Sequence, residues 1–308
     1  MKKVWTLTMN PALDVEAELD SVAPEVKLRC GRPSFDPGGG GVNVARALNR
    51  IGGNATALFP EGSGLGAFYR SLVEAEEVDC RTFEIGQAMR RLNTHFREKE
   101  GQHQYRFCLP GPELEESDWQ RALDLLNGVL KEGDILVASG SLPPGIPEDF
   151  NVRVAKITGA TGADLVLDAP GDVLRTLEYS TVTWITPNQN EFEDLLGHPV
   201  NDDRLEKEWP SFLEDSGFQN ILLTLGANGA LYAGAEGVER IPAPEVEKLS
   251  SVGAGDSTVA GLIMGLSCGE DHLASSRMAV AAGAAAVMTP GTKLLKKQDF
   301  HALLEHTK

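Results

Sequence analysis

One carboxylate, Asp256, follows Gly253, Ala254 and Gly255 in the run SVGAGDSTVAG, residues 251–261. Backbone this bare at the start of a helical segment turns successive amides toward one space, which favours negative charge. In that first turn Asp256 can serve as an N-terminal cap or as a general base. A second bare stretch, Gly38 to Gly41, precedes the helical segment that carries Asn43. Glycine there lets amides approach a phosphorylated or hydroxyl-rich ligand, and it equally suits a flexible turn. The GxxxxGK[ST] phosphate loop is absent, and residues 62–66 read GxGxG rather than the dinucleotide spacing. Cys30, Cys80, Cys108 and Cys268 form no CxxC pair, and the six histidines form no HxH or HExxH cluster. Zinc, redox-dithiol and metallohydrolase chemistry are therefore not expected.

These residues need elements to hold them. Short apolar runs at 3–9, 54–60, 134–139, 164–169, 181–187 and 220–226 read as buried strands, and segments with helical spacing separate several of them. The expected fold is α/β, a mostly parallel central sheet flanked by helices. Ligands of such sheets bind beyond the carboxyl ends of the strands. The runs end in TMNPALD, SGSLPPG, DAPG, TPNQNE and TLGANG, turns expected to converge on one cleft. Residues about 12–36 and 88–109 instead alternate polar and apolar, with a hairpin turning at Lys99, Glu100 and Gly101. They are expected to form a small β-sheet lid inserted into a single domain spanning 1–308.

Composition narrows the partners. A net charge of −17 disfavours nucleic acid and anionic membranes, both of which repel an acidic surface. The opening MKKVWTLTMNPALD has too short an apolar run for a secretory signal, and no stretch approaches the ~20 apolar residues of a spanning helix. A cytoplasmic location is expected.

The paired stretches GGGGVNVARAL and SVGAGDSTVAG resemble the signature of the ribokinase/PfkB family of carbohydrate kinases. The resemblance covers essentially the whole chain, because TLTMNPALD, KLRC, YRFCLPG, SGSLPPG, PNQNE, TLGANGAL and AAGAAAVMTPGT stand in the family's order. It implies the three-layer ribokinase-like fold with a β lid. Gly40 stands where 1-phosphofructokinases and tagatose-6-phosphate kinases usually carry lysine, so the likeness runs to the 6-phosphofructokinase subgroup, with the other two as alternatives. The reaction so implied has Asp256 take the proton of the C1 hydroxyl of fructose 6-phosphate as that oxygen attacks the γ-phosphoryl group of ATP. Amides of the Gly253 to Asp256 turn would neutralise charge on the transferring group.

The same resemblance implies the site residue by residue. Asp14, Gly39, Gly40, Asn43 and Ser141 fall at the sugar, and Lys27, Arg29, Arg91 with Asn93, and Arg106 at its phosphate. Thr186, Asn188, Thr224, Gly226, Gly229, Gly283 and Thr289 fall at ATP, with Asn188 and Glu191 ordering hydrated Mg²⁺. Carbonyls near 250–252 and 286–291 would bind K⁺. The chain departs from the subgroup at three places: Thr186 replaces a lysine, Thr289 an asparagine, and Ala23 the tyrosine of a second, inhibitory ATP site. A homodimer paired through the lid strands is also implied.

Overall fold

A computed structural model describes residues 1–99, 103–177, 182–200, 212, 216–291, 293–305 and 307. In chain order the first elements are β1 (Val4–Leu7), β2 (Ala12–Leu19), β3 (Ser34–Gly38), α1 (Gly40–Arg50), β4 (Thr56–Glu61), α2 (Gly66–Ala75) and β5 (Asp79–Glu84). Then come β6 (Leu92–Glu98), β7 (Gln104–Cys108), α3 (Glu116–Val129), β8 (Ile135–Ser139), α4 (Phe150–Thr161), β9 (Asp164–Asp168) and α5 (Gly171–Arg175). The chain continues through β10 (Val182–Ile185), α6 (Gln189–Leu196), β11 (Phe218–Thr224), β12 (Ala230–Gly234) and β13 (Gly237–Ile241). It closes with α7 (Ala254–Cys268), α8 (His272–Val287) and α9 (Lys297–Leu304).

The large sheet has nine strands in the order β13-β12-β11-β10-β9-β8-β1-β4-β5. Its strands from β11 to β5 run parallel, while β12 and β13 return antiparallel at one edge. Central strands such as VWTL and ILVAS are buried along their whole length, as a sheet covered on both faces requires. On one face α1, α7, α8 and α9 enclose an apolar core around Val42, Leu48, Leu262 and Phe300. On the other, α3, α4 and α6 close over Trp119, Phe150 and Phe192. The expected α/β class is the one observed. Three strands were not expected: the edge strands β5 and β13, and β12 beside β13.

A second sheet, ordered β3-β2-β6-β7, stands apart from the first. Its β2 and β6 are parallel and the outer pairs antiparallel. Register sets its two faces, because directly opposed residues point the same way. Asp14 opposes Asp36 and Asn93, and Glu16 opposes His95, which opposes Arg106, so one face is polar. Val15 opposes Phe35 and Thr94, and Thr94 opposes Phe107, so the other is largely apolar. Within 12–36, residues 20–33 carry no strand or helix. Glu100 and Gly101 of the expected hairpin tip lie outside the described residues.

Candidate active site

The glycine run is held by its neighbours. Gly39 takes a φ of 117°, which favours glycine over every other residue. A Cβ at Gly40 would overlap Ser139 Oγ and lie 2.8 Å from the Gly140 nitrogen, so the start of α1 rests on the end of β8. The Val42 amide donates to Thr8 Oγ1 at 2.8 Å, and buried Tyr69 donates its hydroxyl to the Gly38 carbonyl at 2.7 Å. Of the two readings open for this run, the flexible turn is not what is seen.

Asp256 lies in the first turn of α7, whose N-cap is Gly253 at φ 71°, with no side-chain capping bond. Its carboxylate instead accepts a hydrogen bond of 2.9 Å from the Asn43 amide. Asp256 therefore does not cap its helix. Burial, with the charges of Asp168 and Asp14 adding to it, raises its pKa from the usual 3.8 to about 7, against the Asn43 bond and the Arg46 charge. A Cβ at Gly255, which is exposed, would meet nothing within 4 Å outside its chain neighbours.

Asp14 sits opposite on β2, 8% exposed, and accepts 2.8 Å from the Asn93 amide. Burial lifts its pKa to about 6 despite that bond and the Arg46 charge. Asn93 Oδ1 is buried without a partner among the described residues, an acceptor left free for a ligand hydroxyl. Half-buried Arg91 donates to the Asn10 carbonyl, and Asn10 in turn donates to Ser141 Oγ at 3.3 Å. Burial lowers the Arg91 pKa while the Asp14 charge opposes the shift. Asp14, Asn43, Asn93, Arg91 and Ser141 thus gather with Asp256 and the glycine run. Lys27 and Arg29 lie on the exposed segment between β2 and β3, and Arg106 is exposed on β7.

A second group lines the neighbouring strand ends. Asn188 caps α6: its Oδ1 accepts from the Glu191 amide at 3.0 Å and Glu191 Oε2 accepts from the Asn188 amide at 2.8 Å. This is a reciprocal capping box, which orients both side chains at the helix start. Burial and the Asp168 charge raise the Glu191 pKa against those bonds. The Thr224 amide donates to Pro187 O at 2.9 Å, joining this turn to the one after β11. Gly226 has a φ of 59° with open space where a Cβ would stand, whereas Gly229 abuts the backbone of Ile241 to Ala243. Gly283 packs against Thr258 Oγ1, so it serves close contact between α8 and α7. Thr289 is 2% exposed and its hydroxyl has no partner among the described residues.

Three residues escaped the sequence reading. Asp168, at the end of β9, accepts 2.8 Å from Ser139 Oγ and has Thr186 beside it; burial raises its pKa. Its charge acts on both Asp256 and Glu191, so it joins the two halves of the cleft. The DAPG turn was the available signal. His95 is buried in the polar row of the small sheet, with both ring nitrogens unpartnered among the described residues. Arg46, 1% exposed, bonds the Asn43 carbonyl at 3.0 Å. An arginine one turn after Asn43 was the signal for it.

A mostly parallel sheet whose strand ends gather Asp14, Asp168 and Asp256, the last two next to Ser139 and Asn43 respectively, is the arrangement in which α/β enzymes carry their sites. Residues 3–298 match the pfkB family carbohydrate kinase, and the chain belongs to that family. It is 38% identical over 304 residues to the ATP-dependent 6-phosphofructokinase isozyme 2 of Mycobacterium tuberculosis, covering 98% of this chain and 89% of that protein. Against the Escherichia coli protein of the same name it is 35% identical, covering 97% of each. The crystal structure of Escherichia coli phosphofructokinase-2 in complex with potassium superposes with a TM-score of 0.95 at 33% identity, covering 100% of this chain and 99% of that one. Structures of that protein with fructose-6-phosphate and in a tetrameric inhibited form give TM-scores of 0.91 and 0.93, each at 32% identity, with coverage of 100% and 99%.

Proposed function

We propose that this chain is an ATP-dependent 6-phosphofructokinase that phosphorylates the C1 hydroxyl of fructose 6-phosphate. The observation that carries the reading is Asp256: a carboxylate in the first turn of α7 with a pKa of about 7, engaged by the Asn43 amide. Its ionised form takes the hydroxyl proton while the C1 oxygen bonds to the γ-phosphorus and the bond to the β-phosphate oxygen breaks. The products are fructose 1,6-bisphosphate and ADP, and Asp256 passes its proton to water. Amides at the start of α7 stabilise charge on the transferring oxygens. Asp14 and Asn93 orient the sugar hydroxyls, and Arg91 supports its phosphate, with Lys27, Arg29 and Arg106 as the further cations.

The residues present fit a nucleotide with its metal. Open space at Gly226, the unpaired Thr289 hydroxyl and the half-buried Glu191 carboxylate suit phosphates and a hydrated cation. Asn188 and Glu191 would hold Mg²⁺, which when bound with ATP neutralises phosphate charge. A K⁺ site among the carbonyls near 250–252 and 286–291 is supported by the proximity of the two segments: the Ser250 amide donates to Val287 O at 3.2 Å and Ser250 Oγ to Gly291 O at 2.9 Å. The apolar face of the small sheet, with Phe35 and Phe107 exposed, supports a homodimer through the lid. Free thiols and an intracellular nucleotide substrate suit a cytoplasmic enzyme. The test is ADP release with fructose 6-phosphate, fructose 1-phosphate, tagatose 6-phosphate and unphosphorylated sugars. Fructose 6-phosphate is expected to turn over fastest, and fastest turnover of fructose 1-phosphate overturns the assignment.

A further inference from the structure

Arg46 is a buried cation in the second turn of α1. One guanidinium nitrogen donates to the Pro37 carbonyl at 2.7 Å and to Asn43 Oδ1 at 3.0 Å. The second terminal nitrogen meets Glu76 directly and lies 3.7 Å from Asp36, while Nε is buried without a partner among the described residues. Glu76 also accepts 2.7 Å from Arg50. Burial works against the Glu76 charge, but the bonds and charges of Arg46 and Arg50 outweigh it and hold its pKa below the usual range. Each neighbour thus stabilises the guanidinium, which removes the large penalty of an unpaired buried charge.

Chemistry fixes how Asn43 must sit between Arg46 and Asp256. A guanidinium only donates hydrogen bonds and an ionised carboxylate only accepts them. The Asn43 carbonyl must therefore face Arg46 and its amide must face Asp256. The flipped side chain would set oxygen against carboxylate and amide against guanidinium, losing both bonds. We propose that Arg46 is a positioning residue for phosphoryl transfer: by gripping the Asn43 carbonyl, it holds the Asn43 amide on the Asp256 carboxylate. The grip also ties the base to the Glu76 end of α2 and to Pro37 in the strand that enters the glycine run. The proposal rests on the reading of Asp256 as the base.

The groups facing Asp256 are Asp168 from β9, Asp14 from β2, and Asn43 and Arg46 from α1. Of these, Asn43 and Arg46 favour the ionised carboxylate, and Arg46 can relax both effects at once. Arg46→Lys keeps the buried charge but loses the forked geometry. It is expected to lower kcat by about 10- to 100-fold, as misplacement near a reacting centre does. It should also move the acid limb of the kcat/KM profile upward by about half a unit to one unit. KM for ATP should be unchanged. In an Asn43→Ala background the same substitution should have much less effect, because its route to Asp256 is gone. A folded Arg46→Lys enzyme with the parental pH profile, or additive effects in the double variant, overturns the proposal. Asp256→Asn separates the two readings: parental turnover in that variant removes the base itself, whereas an inactive Asp256→Asn beside a parental Arg46→Lys profile removes only the role of Arg46.

Discussion

Asp256 is both the proposed base and a cost to the fold. With its pKa at about 7, turnover should fall about tenfold per pH unit below that value as the base protonates. Asp256→Asn should lower kcat by about 10²- to 10⁴-fold at pH 8. Stability should move the other way. Because the folded pKa is raised, the contribution of Asp256 to stability is full below its ordinary pKa of 3.8 and is lost as pH rises through about 7. Thermal melting at pH 8 should therefore show Asp256→Asn at least ~2 °C more stable than the parent, the gap closing as the pH falls from about 7 to below 4. A variant that melts lower at pH 8 would show that the carboxylate is stabilising there. Asp14, at about 6, has the same sign and a window displaced toward acid.

Elements turn chain-distant residues into one site through tight contact at strand ends. Two glycines in the bare runs do opposite jobs. Gly40 is bare because α1 touches β8, whereas Gly255 is bare beside open space. Gly40→Ala should destabilise the protein by about 1–3 kcal/mol, because Ser139 and the Gly140 backbone must shift. Gly255→Ala should leave stability unchanged or raise it by about 0.5–1 kcal/mol, since alanine suits a helix better. Its methyl group should nonetheless cut turnover by filling space for the phosphoryl group. Denaturant unfolding and ADP release on the same samples check both, and Gly255→Ala with parental turnover would sink that role.

The whole molecule carries its charge and its apolar face on a single chain. Phe107, 53% exposed, lies 6.2 Å from the Phe96 ring, and Phe35 stands in the same row of the small sheet. Phe107→Glu should convert the homodimer proposed above to monomer in light scattering, without lowering the melting temperature of the monomer. A net charge of −17 on each copy opposes pairing, so dimer affinity should rise with salt as that repulsion is screened. Dimerisation that weakens with salt would instead require charge pairs across the interface.

Much of the architecture was legible because a doubly covered parallel sheet makes its central strands continuously apolar. VWTL, ILVAS and FQNILLT announce themselves by that rule. The edge strand DCRTFE does not, since alternate residues face water, and GVERI at the opposite edge is partly exposed in the same way. By itself the sequence determined the family, the order of the turns around the cleft, and the residue types that could act there. It also showed that Asp256 starts a helix. Only the tertiary structure decided that Asp256 is bonded by Asn43 rather than capping α7, because the two lie 213 positions apart. Only it brought Asp168 between Asp256 and Glu191, and buried Arg46 behind Asn43. Burial and long-range charge set those states, and neither is a property of a residue's neighbours in the chain.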